Sequence, residues 1–481
     1  MLRNRIYLLY KAIKRKSRGE KMKDLTEGNI YKTFLLFAAP LILAGFLSQA
    51  YSIIDTVIAG RILSTRGLAA IGSTSAFIQF FSSVFWGYGV GFSIYLARLF
   101  GAGEFEKLKT AVYVNCSLMA LATVILSVLS VLFKDELFLI LSVDESVKEG
   151  AGTYFSVYMA GIVFILMSNN GVYIMNAFGS GAYPLAMSVL STVLHISGNL
   201  FAVRVLNLGI GGIAASAVLS ALIVDVCYFF RIRKYFEKMG VAKHRVKFSL
   251  APVSESVKYS VTTMIQQMFM YFSSLAVSPL VNGIGGAASA AYVIVLKVYD
   301  INATVYQNSS KTLSNYEAQS IGAGKFGNVK KGLFVGLLQG LFFEVPVLLL
   351  TVVFANRLCL LFLPSGGGGE SVKMAVVFAR YYMPFILFNL INNLFHAFYR
   401  GVGSMACLLE ATFIGSAARI IATYIAAGYF AMDGVYIGWA VSWAVECLFC
   451  LFVYFSGRWK PKELKILKKV DSLTLGRYNG K

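Results

Sequence analysis

Residues 95–109 read YLARLFGAGEFEKLK, and residues 316–330 read YEAQSIGAGKFGNVK. The two stretches share their glycine turn and their final lysine. At the same offset along the chain, LAAIG (68–72) meets SAAYV (289–293). Matches in one register at separate places indicate two copies of one structural unit in the same topology, so this repeat determines the expected fold.

The composition is that of a membrane protein. The 481 residues are 57% hydrophobic and 14% charged, with a mean hydropathy of +0.69, whereas soluble domains carry about 25% charged residues. Long uncharged runs alternate with short basic connectors, as in polytopic helical proteins, whose spans need about 20 apolar residues each. A β-barrel would show short alternating segments instead. The net charge of +21 is explained by basic cytoplasmic loops, and no nucleic acid is expected as a partner.

The sequence predicts an all-α protein with twelve transmembrane helices in two pseudo-symmetric six-helix lobes. Lys and Arg cluster in the connectors that we assign to the cytoplasm, while the loop at 134–149 is acidic, so both termini are expected to be cytoplasmic. Either Met1 or Met22 could be the start. The predicted segments are a basic N-terminal arm (1–32), an N-lobe (33–235), a linker (236–255), a C-lobe (256–457) and a basic tail (458–481).

Parallel repeats related by an axis along the membrane normal are a transporter architecture. Asp55 is a candidate functional residue of such a transporter, because it lies in the apolar stretch SQAYSIIDTVIAG (48–60). A carboxylate at membrane depth costs roughly 3 kcal/mol and usually faces a cavity or a partner. Such a group can bind H⁺ or Na⁺ on one side and release it on the other; a static ion pair is the alternative. Pro40 in the same helix is a candidate hinge.

The chain resembles the MATE (multidrug and toxic compound extrusion) transporters over roughly residues 25–455. The most specific stretch is TEGNIYKTFLLFAAPLILAGFLSQAYSIIDTVIAGRIL (26–63), which has the proline of the first helix and the D-T-x-x-x-G-R turn. GYGVGFSI (87–94) and VNGIGGAASAAY (281–292) add to the match. The resemblance implies a two-lobed antiporter of the cell inner (plasma) membrane. It would expel organic, cationic or amphiphilic compounds by rocking its lobes around a central cavity.

The resemblance also implies an ion site in the N-lobe. His195 stands where the family usually has Asn, and Asn199 where it usually has Asp. One helix face holds both, so Asp55, His195 and Asn199 are the expected ion-coupling residues, although helix packing by a neutral His195 is equally open. With a single carboxylate, H⁺ is favoured over Na⁺ as the coupling ion, and Na⁺ at Asp55 stays an alternative. No cofactor or other metal is expected.

Polar and aromatic side chains on helices that should border the cleft are the expected substrate-cavity residues. In the eighth predicted helix a local ion-pair network is the alternative to substrate contact, and for Arg419 the sequence favours a structural pair with Glu410 or Glu446. The candidates are Gln49, Tyr51, Gln266, Gln267, Phe272, Tyr292, Lys297, Asp300, Asn302, Gln307 and Arg419.

The sequence favours one function over two alternatives. The first is a monomeric multidrug exporter with H⁺ or Na⁺ antiport, in contact with lipid. The second is a lipid-linked precursor flippase or a dedicated exporter of an endogenous metabolite on the same scaffold. The third, an intramembrane enzyme, would need an Asp-rich diphosphate motif, a nucleophile loop or HExxH, which the sequence does not contain. We therefore expect no enzymatic activity.

Overall fold

The computed structural model describes most of the chain. It covers residues 24–62, 65–140, 143–246, 248–362 and 369–460, with side chains described there except at 51–69, 76 and 140. The basic arm and the basic tail predicted at the two ends therefore lie largely outside the described residues.

The first half of the described chain is helical throughout. Its helices are α1 (Ile30–Ile62), α2 (Thr65–Ala102), α3 (Phe105–Leu132), the short α4 (Lys134–Ile140), α5 (Lys148–Ala177), α6 (Ala182–Arg204) and α7 (Gly209–Lys238). Pro40 lies inside α1, which continues past it.

The second half repeats this organisation. Its helices are α8 (Ala251–Ile284), α9 (Gly286–Gly322), α10 (Asn328–Val353), the short α11 (Ala355–Leu361), α12 (Gly369–Val377), α13 (Ile386–Val402) and α14 (Met405–Ser456). A π-helical segment at Phe378–Tyr382 and a 3₁₀ turn at Met383–Phe385 join α12 to α13. The prediction of an all-α membrane protein is confirmed.

Ten helical segments in the described chain are long and apolar enough to cross a membrane. One of them, α14, has 52 residues, and its backbone leaves helical geometry at Ala431 (φ 48°). A span needs about 20 residues, so each arm of α14 is long enough by itself. The 34-residue α8 is also of spanning length. The count of twelve spans agrees with these lengths and stays a prediction.

The chain forms two compact units. Residues 36–260 belong to the first unit, and residues 25–35 with the described residues from 261 to 460 belong to the second. The first turns of α1 therefore pack with the second unit, and the first ten residues of α8 pack with the first.

In the first unit α5 is the central helix, contacting α2, α3 and α7. Its inward side chains Phe155, Met159 and Ile162 are fully buried and form a core with Phe81 of α2 and Phe138 of α4. Burial of each such side chain stabilises the fold by about 1.5–3 kcal/mol. A cavity between α5, α6 and α7 is described below.

In the second unit α9 and α13 are the central pair. Gly401 of α13 allows the close approach, because a Cβ built there would lie 2.9 Å from the carbonyl oxygen of Ser314 on α9. The chain before α1 is held to the same unit. The backbone N–H of Leu25 donates to Oε1 of Gln319 at 2.9 Å, and the rings of Phe34 and Tyr316 meet edge to face with centroids 4.9 Å apart.

The repeat seen in the sequence is present in the backbone. Gly103 after α2 and Gly324 after α9 have φ of +73° and +69°, the left-handed region that favours glycine. The residue after each glycine donates its N–H five positions back, from Glu104 to Leu99 at 3.0 Å and from Lys325 to Ser320 at 2.9 Å. This is one helix-ending turn formed twice.

A second turn is repeated after α5 and α13. Gly179 and Gly403 have φ of +70° and +82°. The N–H of Ser180 donates to the carbonyl of Met175 at 3.0 Å, and that of Ser404 to the carbonyl of Tyr399 at 2.7 Å. The two-repeat prediction is confirmed at these turns.

Candidate functional site

The first unit contains a polar cavity of about 410 Å³ between α5, α6 and α7. Much of its lining carries hydroxyl, amide or imidazole groups. These side chains are Ser48, Ser168, Asn169, Ser188, Ser191, Thr192, His195 and Ser220. Such a concave site with convergent polar groups is the usual form of a small-molecule or ion site.

His195 lines this cavity, and Asn199 lies one turn further along α6. Both are buried. Asn199 accepts a hydrogen bond on Oδ1 from the hydroxyl of Ser216 on α7. The structure therefore puts His195 at the cavity and Asn199 in the contact between α6 and α7.

The other N-lobe candidates lie on α1. Asp55 and Tyr51 belong to α1 and to the first unit, but their side chains are outside the described residues. A joint site of Asp55 with His195 stays a prediction. Gln49 precedes the residues whose side chains are not described, and it is half-buried.

The sequence of α6 contains a pattern that indicates this cavity. Ser188, Ser191, Thr192 and His195 recur at helical spacing in α6 and line the cavity together. Positions three and four apart share a helix face, so the pattern S-x-x-S-T-x-x-H already describes a polar stripe. Its partners Ser168 and Asn169 on α5 could be recognised only from the packing of the two helices.

The second unit has a buried polar cluster around His396 of α13. Its Nε2 lies 3.1 Å from Oε1 of Glu446 on α14, and Nε2 of Gln266 on α8 lies 3.1 Å from its Nδ1. Asn392 donates to Oε2 of the same carboxylate at 3.3 Å. Gln266 is thus part of a side-chain network, whereas its neighbour Gln267 is half-buried and Phe272 is largely exposed.

Arg419 has no acidic partner in the described chain. Its guanidinium lies 4.3 Å from the ring centroid of Trp439 and donates to Ser274 at 3.3 Å and to Tyr292 at 3.5 Å. The pairing favoured from the sequence was wrong, because Glu410 binds Arg458 at 2.9 Å and Glu446 meets His396. A cation stacked on an aromatic face needs no carboxylate nearby.

The polar residues of α9 do not converge on one place. Lys297 and Gln307 are exposed, and Asp300 is half-buried. Asn302 is fully buried and donates to Oγ1 of Thr351 on α10 at 3.0 Å. Asn302 therefore contributes to the packing of α9 against α10, whereas the side chains of Lys297 and Gln307 are exposed.

Comparison with known proteins identifies the class of protein to which the chain belongs. The two repeats of long apolar helices define a multi-pass membrane protein. The MatE family model matches residues 40–201 and 263–425, once in each repeat, and the chain belongs to this family of transporters.

Relatives and solved structures agree with that assignment. The chain is 23% identical over 452 residues to the probable multidrug resistance protein YoeA of Bacillus subtilis, covering 91% of this chain and 96% of YoeA. It is 23% identical to an FAD transporter of Shewanella oneidensis, over 71% of this chain and 77% of that protein.

Two solved structures share the fold at 18% identity. One is an outward-facing multidrug resistance MATE family transporter of the MOP superfamily, with a TM-score of 0.82, covering 94% of this chain and 99% of that one. The other is a MOP superfamily transporter from Pyrococcus furiosus whose binding pocket has reverse polarity. Its TM-score is 0.84, and 92% of this chain and 99% of that one are covered.

Proposed function

We propose that this protein is a secondary-active multidrug exporter that expels small cationic or amphiphilic organic compounds in exchange for H⁺. The observation that carries the proposal is the cavity between α5, α6 and α7. It joins His195 to a set of hydroxyl and amide groups in the unit whose first helix carries Asp55. Multidrug resistance is also named in the descriptions of the B. subtilis relative and of the first MATE structure above.

The residue types favour H⁺ over Na⁺ as the coupling ion. A Na⁺ site would have one fixed negative charge, on Asp55, with hydroxyl and amide oxygens around it. Imidazole is the side chain whose ordinary titration falls near neutral pH, and it can pass a proton between its two nitrogens. We therefore assign proton transfer to His195 together with Asp55.

The transport cycle requires that proton and substrate favour different facing states. Moving a population from 1:99 to 99:1 needs about 5.5 kcal/mol of differential binding. A single carboxylate with a pKa change of two or three units supplies roughly 3–4 kcal/mol, so substrate binding must supply the rest. Rocking of the two lobes around a central cavity is the motion proposed for this exchange, with Pro40 as hinge in α1.

The setting follows from the same proposal. The protein would lie in the plasma membrane as a monomer, with both basic termini in the cytoplasm, in contact with lipid. It would need no cofactor besides the coupling ion.

Transport by purified protein in liposomes tests the proposal. A pH gradient imposed alone, a Na⁺ gradient imposed alone and no gradient are compared, with a panel of organic cations as substrates. Asp55→Asn should abolish gradient-driven export, while Asp433→Asn, which removes an exposed carboxylate, should leave it unchanged. Full export by the Asp55→Asn protein would refute the assigned role of Asp55, and export driven only by Na⁺ would refute proton coupling.

A dedicated metabolite exporter is the second candidate. It is favoured by the similarity to an FAD transporter and by the unusually polar α9. A lipid-linked precursor flippase on the same scaffold belongs with this candidate. Such a protein would not transport the panel of organic cations. Its deletion would instead cause one compound to accumulate inside the cells, so metabolite profiling of a deletion strain separates the two functions.

A further inference from the structure

A second cavity of the first unit lies on its outer surface, between α3, α5 and α7. It measures about 640 Å³, within the 300–1,000 Å³ typical of drug-sized ligand sites. Its lining is mostly apolar and includes Tyr113, Ala120, Phe164, Met167, Val226 and Phe229. We call it the α3–α5–α7 crevice.

The crevice opens on an apolar surface. Val226, Phe229 and Phe230 of α7 are 48%, 53% and 61% exposed, and Val226 and Phe229 line the crevice. In a membrane-spanning helix such side chains face lipid tails. A ligand would therefore reach the crevice from within the bilayer.

Asp225 of α7 lines this apolar crevice. Both of its carboxylate oxygens are buried and have no hydrogen-bond partner among the described residues. The hydroxyl of Ser168 lies near it, but a hydroxyl cannot neutralise a charge. A carboxylate left in this state is costly unless a cation or donor reaches it.

The protein supplies no such cation in the part of the chain that is described. No Lys, Arg or His lies within ion-pair distance of Asp225 there. Arg231 follows six residues later on α7, about 9 Å along the axis. Its guanidinium lies over the rings of Tyr183 and Tyr235, at 4.8 and 5.0 Å from their centroids.

A second acceptor lies in the same lining. Asn170 of α5 is 1% exposed and donates from Nδ2 to Sγ of Cys116 at 3.3 Å. Its Oδ1 has no partner among the described residues. The crevice thus presents a carboxylate and an amide oxygen, both acceptors, in an apolar setting. The complementary ligand has N–H donors, a positive charge and a hydrophobic body.

We propose that the α3–α5–α7 crevice binds amphiphilic ammonium compounds from the bilayer, with Asp225 as their counter-charge. The inference rests on the proposed function for the class of ligand and adds a site in the wall of the first unit. Tyr228 lines both this crevice and the cavity of His195. The two sites therefore share one aromatic side chain in their walls.

The test measures binding by the full-length protein in lipid nanodiscs without any ion gradient. The probe is 1,12-diaminododecane with dansyl on one nitrogen and a free ammonium on the other, and the form acetylated on that second nitrogen is the neutral match. Tyr113→Trp places an energy donor in the crevice, so that transfer from the new tryptophan to dansyl reports binding at this place. Empty nanodiscs and the protein without the new tryptophan give the background.

In the Tyr113→Trp background, Asp225→Asn should raise the apparent Kd of the ammonium probe at least tenfold and leave the neutral probe unchanged. Asp144→Asn is the matched control, since Asp144 is exposed in a loop, and it should change neither. Ala120→Phe fills the crevice but keeps Asp225, so it should weaken the binding of both probes. This variant tests the site if Asp225→Asn does not fold.

Two results would overturn the site. They are an ammonium Kd within twofold of wild type in Asp225→Asn, or equal weakening of both probes by that variant. Because binding needs no gradient, failure of gradient-driven transport would refute only the exporter function. Failure of probe binding by a protein that transports would refute only this site.

Discussion

Nε2 of His396 on α13 lies 3.1 Å from Oε1 of Glu446 on α14, and its other ring nitrogen lies 3.1 Å from Nε2 of Gln266 on α8. One imidazole thus connects three helices of the second unit. His396 is 3% exposed and Glu446 9%, so water cannot replace a lost partner.

His396→Ala should lower the free energy of unfolding by about 1–3 kcal/mol, because it leaves the buried polar groups of Glu446 and Gln266 without their imidazole partner. The midpoint of thermal unfolding in detergent measures this. His244→Ala is the matched control. That side chain is about one-third exposed and lies 3.6 Å from the largely exposed Glu106, so its loss should cost under about 1 kcal/mol. Equal shifts for both variants would contradict the assignment.

Lys109 anchors the segment between the two repeats. Its ammonium donates to the backbone carbonyls of Val241, Ala242 and His244 at 3.0, 2.8 and 2.8 Å. Lys109→Met should release this segment and speed tryptic cleavage after Lys243 and Arg245 severalfold, because a protease cuts the opened chain.

Lys330 is the control for that experiment. It occupies the same place in the second copy of the motif, GAGKFGNVK, but is exposed. Lys330→Met should leave cleavage after Lys243 and Arg245 at the wild-type rate. If both variants were cleaved equally fast, the anchoring role of Lys109 would be excluded.

Glu255 at the start of α8 gives a pH dependence. It lies 2.8 Å from the ammonium of Lys107 and accepts a hydrogen bond from the hydroxyl of Tyr95 at 2.8 Å. The hydrogen bond from Lys107 lowers the pKa of Glu255. A lowered folded-state pKa means that the stabilisation is present above the unfolded pKa of about 4.3. It is lost as pH falls through the folded value.

Glu255→Gln should therefore be less stable than wild type at pH 7, by less than about 1 kcal/mol because the pair is partly exposed. The difference should begin to shrink below the unfolded pKa of about 4.3 and disappear once pH lies below the lowered folded-state pKa, where the wild-type carboxyl is also protonated. Thermal unfolding of both proteins across this pH range measures it. A gap that persists undiminished at pH 3 would show that the charge of Glu255 is not its cause.

Gly434 permits the close packing of the two arms of α14 around Ala431. A Cβ added to it would collide with the backbone of Ala426 and Ala427. Gly434→Ala should cost about 1–3 kcal/mol through overpacking. Gly428→Ala, at an exposed position with open space around it, should instead be neutral or stabilise by about 0.5–1 kcal/mol. Unfolding midpoints compare the two, and a tolerated Gly434→Ala would contradict the packing.

Several features were predictable because they depend on local chemistry. The glycine turns at Gly103 and Gly324 follow from the need for positive φ after a helix, so a matching motif predicts a matching turn. The face of α6 that carries His195 follows from helical spacing alone. The partners of Arg419 did not follow, because choosing between Trp439, Glu410 and Glu446 requires the packing of separate helices.

The sequence by itself determined that the chain is an all-helical membrane protein of two like repeats and that it resembles MATE transporters. Hydropathy and the repeated motif are properties of the chain alone. Only the tertiary structure decided that His396 meets Glu446, that Arg419 stacks on Trp439, and that Asp225 lies in an apolar crevice with no ion-pair partner among the described residues. A side chain's partner depends on which helices pack together, and contacts between residues distant in sequence leave no periodic pattern in one sequence.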